Sequence, residues 1–341
     1  MKKLIAILLA ALLVFGLAAC TTTPAQPTPA PATPTPAAPA ETPGEPAPAE
    51  INWPANVELV VPAGPGGDSD FNARLHAAEL SRYLPPNFIV SNVTGAGGVI
   101  GLRQVKDSAP DGSTAVFFHS AFVVNQVTGL ADFGFEAFEF AAVAAAHPGQ
   151  VLLVRADLGI NTLQELFEYS QANPGELRLG VETGTISFAT GVLLMQAGLD
   201  VTMGDSGPAA ERIAALLGGH VDIVATAFGL AADHVANGTF VALGIDGRED
   251  LIVEGFEPIL SFRSQGIDVA IPFYYFLAFP AGTDLNMIDA INEVIYRTVT
   301  TNADYQEALH TFFQTPTVYL GVDGLAIFTE VYRILSQIDF S

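Results

Sequence analysis

The chain has 341 residues, half of them hydrophobic, with a formal net charge of −23 and one cysteine. So large an acidic excess excludes the clustered Lys and Arg that nucleic-acid and anionic-lipid surfaces require, and a lone cysteine excludes an intrachain disulfide. About 290 residues follow a proline-rich N-terminal stretch, enough for one large or two ordinary domains.

Lys2 and Lys3 precede an apolar run from Leu4 to Leu17 and the small residues Ala18 and Ala19, the form of an export signal. The run is shorter than the about 20 apolar residues a bilayer span needs, so no integral membrane segment is expected. Leu17-Ala18-Ala19-Cys20 resembles the bacterial lipoprotein signal, which implies lipidation at Cys20. Residues 1–20 are thus read as a lipoprotein signal peptide. Residues 21–50 are almost wholly Pro, Ala, Thr and Glu, too poor in apolar surface to fold, and are read as a disordered tether. At about 3.1 Å per residue in polyproline II, about 30 residues reach roughly 90 Å from a membrane.

The folded part opens with a short β-branched run, Val57 to Pro62, followed by Ala63-Gly64-Pro65-Gly66-Gly67 and an amphipathic stretch from Asp70 to Tyr83: strand, glycine loop, helix. The pattern recurs as Phe88 to Asn92, Thr94 to Gly98 and Gly101 to Ser108. Ser113 to Phe118 reads as a third strand ending at His119-Ser120. A second cycle comprises strand Val151 to Arg155, helix Leu163 to Asn173, strand Leu177 to Val181, loop Glu182 to Ser187 and helix Phe188 to Ala197. Helix Ala209 to Leu217 stops at Gly218-Gly219 before strand Val221 to Thr226. The tail supplies strand Tyr274 to Phe279, the turn Pro280-Ala281-Gly282, and helices Leu285 to Asn302 and Gly324 to Ile338. Alternating strands and helices predict an α/β fold with parallel, doubly wound sheets and a ligand crevice at the carboxyl ends of the strands. With the tail returning to the first lobe, lobe 1 spans 51–148 plus 271–341 and lobe 2 spans 149–270.

The ordered motifs Trp53-Pro54, Val60 to Gly67 with Asp70 and Arg74, Gly95 to Gly101, Ala109-Pro110-Asp111-Gly112, Leu216 to Asp222 and Pro280 to Thr283 together resemble the solute receptors of tripartite tricarboxylate transporters, the Bug receptors. The resemblance covers roughly Trp53 to the C-terminus. It implies a two-lobed, periplasmic-binding-protein-like (type II) fold, each lobe a doubly wound sheet flanked by helices. It implies also that one loop per lobe clasps a carboxylate through backbone amides, with no chemistry performed and no cofactor. The expected partners are a small carboxylate ligand (a mono- or dicarboxylate or an amino acid) and the membrane permease subunits of a tripartite transporter, served by a lipid-anchored, extracytoplasmic monomer. A receptor informing a membrane sensor kinase is the alternative with the same binding chemistry.

Glycines let main-chain N–H groups converge on an anion, and a helix N-terminus adds partial positive charge. An acidic protein with few cations is therefore expected to bind an anion with dipoles alone. Carried over by position, the first clasp is Pro65, Gly66, Gly67, Asp68, Ser69 and Asp70, with Ser120 and Asn125. The second is Thr183, Gly184, Thr185, Ile186 and Ser187, and Tyr274 or Tyr275 covers the ligand. Three features depart from the family's pattern. Asp68 stands where relatives usually carry glycine, Phe188 where many carry histidine, and Gly204-Asp205-Ser206-Gly207 replaces a stretch with tyrosine and a basic residue. An extra carboxylate beside the clasp repels a polyanion and can accept an ammonium or hydroxyl, which disfavours a tricarboxylate. Asp70 and Arg74, four apart, also suit a helix cap or an ion pair. Against an enzyme, the six histidines are scattered without zinc spacing, no Gly-x-Ser-x-Gly elbow occurs, and neither glycine loop fits a nucleotide motif; no metal site is expected.

Overall fold

The computed structural model describes residues 51–340; residues 1–20, read above as a signal peptide ending at Cys20, and the 21–50 segment lie outside the described residues. In chain order the elements are β1 (Asn56–Val61), α1 (Asp68–Tyr83), β2 (Asn87–Asn92), α2 (Val99–Lys106), β3 (Thr114–His119), α3 (Ala121–Val127) and β4 (Phe138–His147). There follow β5 (Val151–Arg155), α4 (Leu163–Ala172), β6 (Arg178–Val181), α5 (Ile186–Gln196), β7 (Thr202–Asp205), α6 (Ala209–Leu217), β8 (Ile223–Thr226), α7 (Ala232–Ala236) and β9 (Phe240–Ile245). The chain ends with β10 (Phe273–Pro280), α8 (Leu285–Thr301), α9 (Ala303–His310), β11 (Tyr319–Leu320) and α10 (Gly321–Leu335).

Two sheets result, ordered β11-β4-β10-β3-β1-β2 and β7-β6-β8-β5-β9. Both are mixed, a correction to the all-parallel expectation. β10 runs antiparallel to β3 and β4, and β5 runs antiparallel to β8 and β9, while β1, β2, β3 and β6, β7, β8 keep parallel βαβ pairings. In β5, Leu152 and Val154 enter one apolar cluster and Val151 and Leu153 another, because alternate side chains of a strand face opposite sides. β5 is thus buried on both faces, which is why it reads as a continuous apolar run.

β4 has no counterpart among the sequence-based elements, and its alanines explain why. Ala141, Ala142, Ala144, Ala145 and Ala146 favour helix intrinsically, yet the strand lies paired to β10 and β11. α10 packs closely on it through a small residue of its own: a Cβ on Gly324 would lie 2.6 Å from Phe140 Cε1 and 3.2 Å from Val143 N. Further along, the Leu216 to Asp222 motif is structural. Asp222 accepts Arg178 Nε at 2.8 Å and Nη2 at 3.0 Å, and Gly219 turns the chain at φ +67°.

The chain passes between the sheets after His147 and again between Ile245 and Phe273. The two passages touch at Asp246, which is fully buried. Its N–H donates to Gln150 O at 3.0 Å, its carboxylate accepts the Gln150 N–H, and its carbonyl accepts the Ile271 N–H at 2.8 Å. Burial pushes the Asp246 carboxyl up to about 7, against the hydrogen bonds from Thr190 and Gln150. Thr190 has one hydroxyl proton and two oxygens within reach, Ile186 O at 2.9 Å and Asp246 Oδ2. A protonated Asp246 resolves this by donating to Thr190 while Thr190 donates to Ile186. Since the folded value lies above the unfolded 3.8, the contribution to stability is full below about pH 4 and is lost as pH rises through about 7. Asp246→Asn is therefore expected to flatten this part of the profile. The melting-temperature advantage of wild type over the variant should be larger at pH 5 than at pH 8; parallel curves would refute the assignment.

Candidate functional site

Three helix N-terminal ends, that of α1 from the first sheet and those of α5 and α6 from the second, border one cavity. β1 delivers the chain to the Ala63 to Gly67 loop, and α1 starts with Gly67 as its N-cap, two residues earlier than the pattern predicts, so that Asp68, Ser69 and Asp70 form its first turn. Asp70 locks the loop: its Oδ2 accepts the Gly66 N–H at 3.0 Å and Arg74 Nε at 3.1 Å. Burial alone would raise its carboxyl, but hydrogen bonds from Arg74, Gly66 and Asn92 hold it below the usual range. In the other lobe β6 leads into Glu182 to Thr185, and α5 starts with Thr185 as N-cap. There the Glu182 N–H donates to Ser187 Oγ at 3.0 Å, Thr185 Oγ1 donates to Glu182 O at 2.8 Å, and the Thr183 N–H donates to Asp205 Oδ2 at 2.8 Å.

The Glu182 to Thr185 loop touches the first lobe at that lobe's second glycine loop, Gly95 to Gly98: Asn125 Nδ2 donates to Gly184 O at 2.7 Å and to Gly97 O at 3.2 Å, so one buried amide joins the lobes there. At Gly97, φ +62°, a Cβ would stand 2.7 Å from Thr183 O, which is why this crossing needs glycine. What remains between them is a cavity of about 40 Å³, room for a few water molecules, bounded by Pro65, Gly67, Asp68, Ser69, His119, Gln150, Glu182, Thr185, Arg212 and Phe273.

Of the residues singled out from sequence, Pro65, Gly67, Asp68, Ser69 and Thr185 line this cavity. Some of the others brace its walls, and Tyr274 lies elsewhere. Ser120 Oγ accepts the Tyr274 N–H at 3.0 Å, and Tyr275, buried in the first sheet, donates its hydroxyl proton to Asp68. Tyr274 borders a separate cleft with His147, Pro148 and Arg248. Phe188, at its departure from the family pattern, stacks on Phe340 at 6.0 Å.

Beside the helix N-termini stands a charged side chain, Arg212. It is 2% exposed, on α6, and lines the cavity. Nη1 donates to Gly207 O at 2.9 Å and lies 3.5 Å from Glu182 Oε2, and Nη2 donates to Ala225 O at 3.2 Å. Burial pulls its pKa down while Glu182 pulls it back up, and burial raises that of Glu182. Arg212 had one sequence signal: it is the only Lys or Arg between Arg178 and Arg248. Among the described residues no cluster of three His, Cys, Asp or Glu side chains is placed to hold a metal, and no helix is long and apolar enough to cross a membrane.

Two α/β lobes with helix N-termini and a guanidinium at one closed cavity define the class of periplasmic-binding-protein-like solute receptors. A profile described as the tripartite tricarboxylate transporter family receptor matches residues 72–320, and the chain belongs to that family. Protein BugT of Bordetella pertussis is 28% identical over 248 residues, 70% of this chain and 74% of that one. The fold is shared with the periplasmic binding protein BugD, at 22% identity and TM-score 0.74 over 84% of this chain and 96% of that one. MatC from Rhodopseudomonas palustris with bound malate aligns at 22% identity and TM-score 0.74, over 83% and 98% of the two chains.

Proposed function

We propose that this receptor captures a small carboxylate-bearing solute between its lobes and presents the closed form to the permease subunits of a tripartite tricarboxylate-type transporter. Anchoring through a lipid on Cys20, with residues 21–50 as tether, belongs to the same reading. The observation that carries it is the meeting at one cavity of the N-terminal ends of α1, from the first sheet, and of α5 and α6, from the second. The first N–H groups of each helix have no intrahelical acceptor and carry the positive end of the helix dipole, so a carboxylate finds donors on both sides. A relative of the same fold holding malate supports that ligand class. The cavity is too narrow to admit a solute from bulk water without parting of the lobes, so binding proceeds by opening about the passages near Pro148 and Ala270 and closing over the ligand. The lobes are then 51–148 with 271–341, and 149–270. No chemical step follows capture.

The test is a thermal-shift and calorimetric screen of the purified protein against carboxylates and amino acids. A selective ligand at about one hundred times its Kd should add about 2.7 kcal/mol of stability, with the compound recovered unchanged; no shift from any compound would sink the reading. Gly67→Val supplies the structural control. A Cβ there meets only Gly64 O, at 3.5 Å, so the fold should persist, while the added methyl groups enter the cavity. Binding should fall at least tenfold with melting temperature nearly unchanged.

A further inference from the structure

The fixed charges of the cavity do not balance. Asp68 is a carboxylate with 13% of its side chain exposed. Its Oδ2 accepts the Tyr275 hydroxyl, which also accepts Gln314 Nε2 at 3.1 Å, and Gln314 Oε1 accepts Asn72 Nδ2 at 2.7 Å. This relay of neutral groups aims Asp68 without neutralising it. Two imidazoles stand near. His147 Nε2 is 3.9 Å from Asp68 Oδ2, and His119 lines the cavity. Each accepts a backbone N–H at Nδ1, from Gly149 and Ala121, at 3.1 Å. Burial lowers both below the ordinary imidazole value, His119 to about 4, so neither supplies a cation near neutral pH. Across the cavity the charge of Arg212 is already faced by Glu182. Two carboxylates and one guanidinium leave an excess of one negative charge.

The unpaired polar atoms have a matching pattern. Gln150 Oε1, an acceptor, and Arg212 Nε, a donor, are buried without a hydrogen-bond partner, on side chains 8% and 2% exposed that both line the cavity. Buried polar atoms left open in this way are rare and call for a partner. A ligand completing the site brings a donor with positive charge to Asp68 and Gln150, and an acceptor with negative charge to Arg212.

We propose that the solute is a zwitterion, an amino acid of small side chain, whose ammonium is received by Asp68 and Gln150 Oε1 and whose carboxylate is received by Arg212 Nε and the first N–H groups of α6, where Ala209 and Ala210 line the cavity. This rests on the receptor reading above and narrows its ligand class. A dicarboxylate of the same length brings its second anion against Asp68, where like charge repels it.

Calorimetric titration at pH 7.5 compares small neutral amino acids with the acids that lack only the amine, such as alanine with propionate and lactate, and with malate. Binding of an amino acid at least tenfold tighter than its amine-free partner supports the proposal. So does loss of that ratio in Asp68→Asn, an isostere that still accepts the Tyr275 hydroxyl, with circular dichroism unchanged. Tighter binding of malate or an amine-free acid overturns the zwitterion while leaving the carboxylate receptor standing. An amine preference unaltered in a folded Asp68→Asn overturns the assignment of Asp68. Failure of every compound to bind overturns both readings.

Discussion

Replacing Arg212 with methionine is expected to weaken solute binding by about 100-fold and to lower stability by about 3 kcal/mol, the scale found when one partner of a buried charge pair is removed. Methionine keeps much of the length and packing of the arginine stem but has no donors. Glu182 then lies half-buried without its cation, and the carbonyls of Gly207 and Ala225 lose their N–H partners. The two losses separate in the double variant Arg212→Met with Glu182→Gln. Removing the orphaned carboxylate charge should recover part of the stability, by urea unfolding, because an unpaired buried charge is the larger share of the cost. Binding, by calorimetry, should stay lost. Recovery of binding in the double variant would show that Arg212 serves only to neutralise Glu182.

Gly247→Ala should be the most disruptive single methyl in the molecule outside the cavity. A Cβ at Gly247 would lie 1.8 Å from Pro148 O, a backbone atom with no rotamer to escape through. Gly149 faces the same contact with φ +130°, and a Cβ on it would meet Gly247 N at 2.4 Å. The two passages between the sheets must therefore part, stretching the Asp246 to Gln150 hydrogen bonds. Overpacking of this kind costs about 1–3 kcal/mol, a fall in melting temperature of about 5 °C for a chain of this size. Since the displaced contact joins both passages, solution scattering should also report a more open ligand-free form. Gly204→Ala is the control: it has open space around it and should change neither. An unchanged melting temperature in Gly247→Ala would mean that the passages yield without cost and do not serve as a packed hinge.

The local alternation of strand, glycine loop and helix was readable from residues alone, because glycine turns, caps and 3.6-residue periodicity act over a few neighbours. Hence β1, α1, β3, β6 and α6 fall close to their expected places, and the helix starts err by about a turn's half, as at Asp68 and Ile186. Strand direction was not readable. β10 enters its sheet antiparallel after the long 246–272 connection, and β5 after the short 148–150 passage from the other sheet, and no local pattern encodes either direction. β4 illustrates the same limit: an alanine-rich run takes helix in isolation, and becomes a strand only when β10 and β11 supply ladder partners and α10 covers its small side chains.

The site divides in the same way. Pro65, Gly67, Asp68, Ser69 and Thr185, singled out by the family resemblance, lie on the cavity wall, where short glycine-rich loops at helix starts leave a local pattern in the chain. Arg212 and Gln150 gave no such sign, one being a helix residue and the other a residue between strands. They gain their chemistry from burial beside residues distant in the chain, as Asn125 does by reaching 59 positions to Gly184. Short-range conformational preferences are written along the chain, whereas charge balance at a closed interface is a sum over groups that only folding brings within a few ångströms.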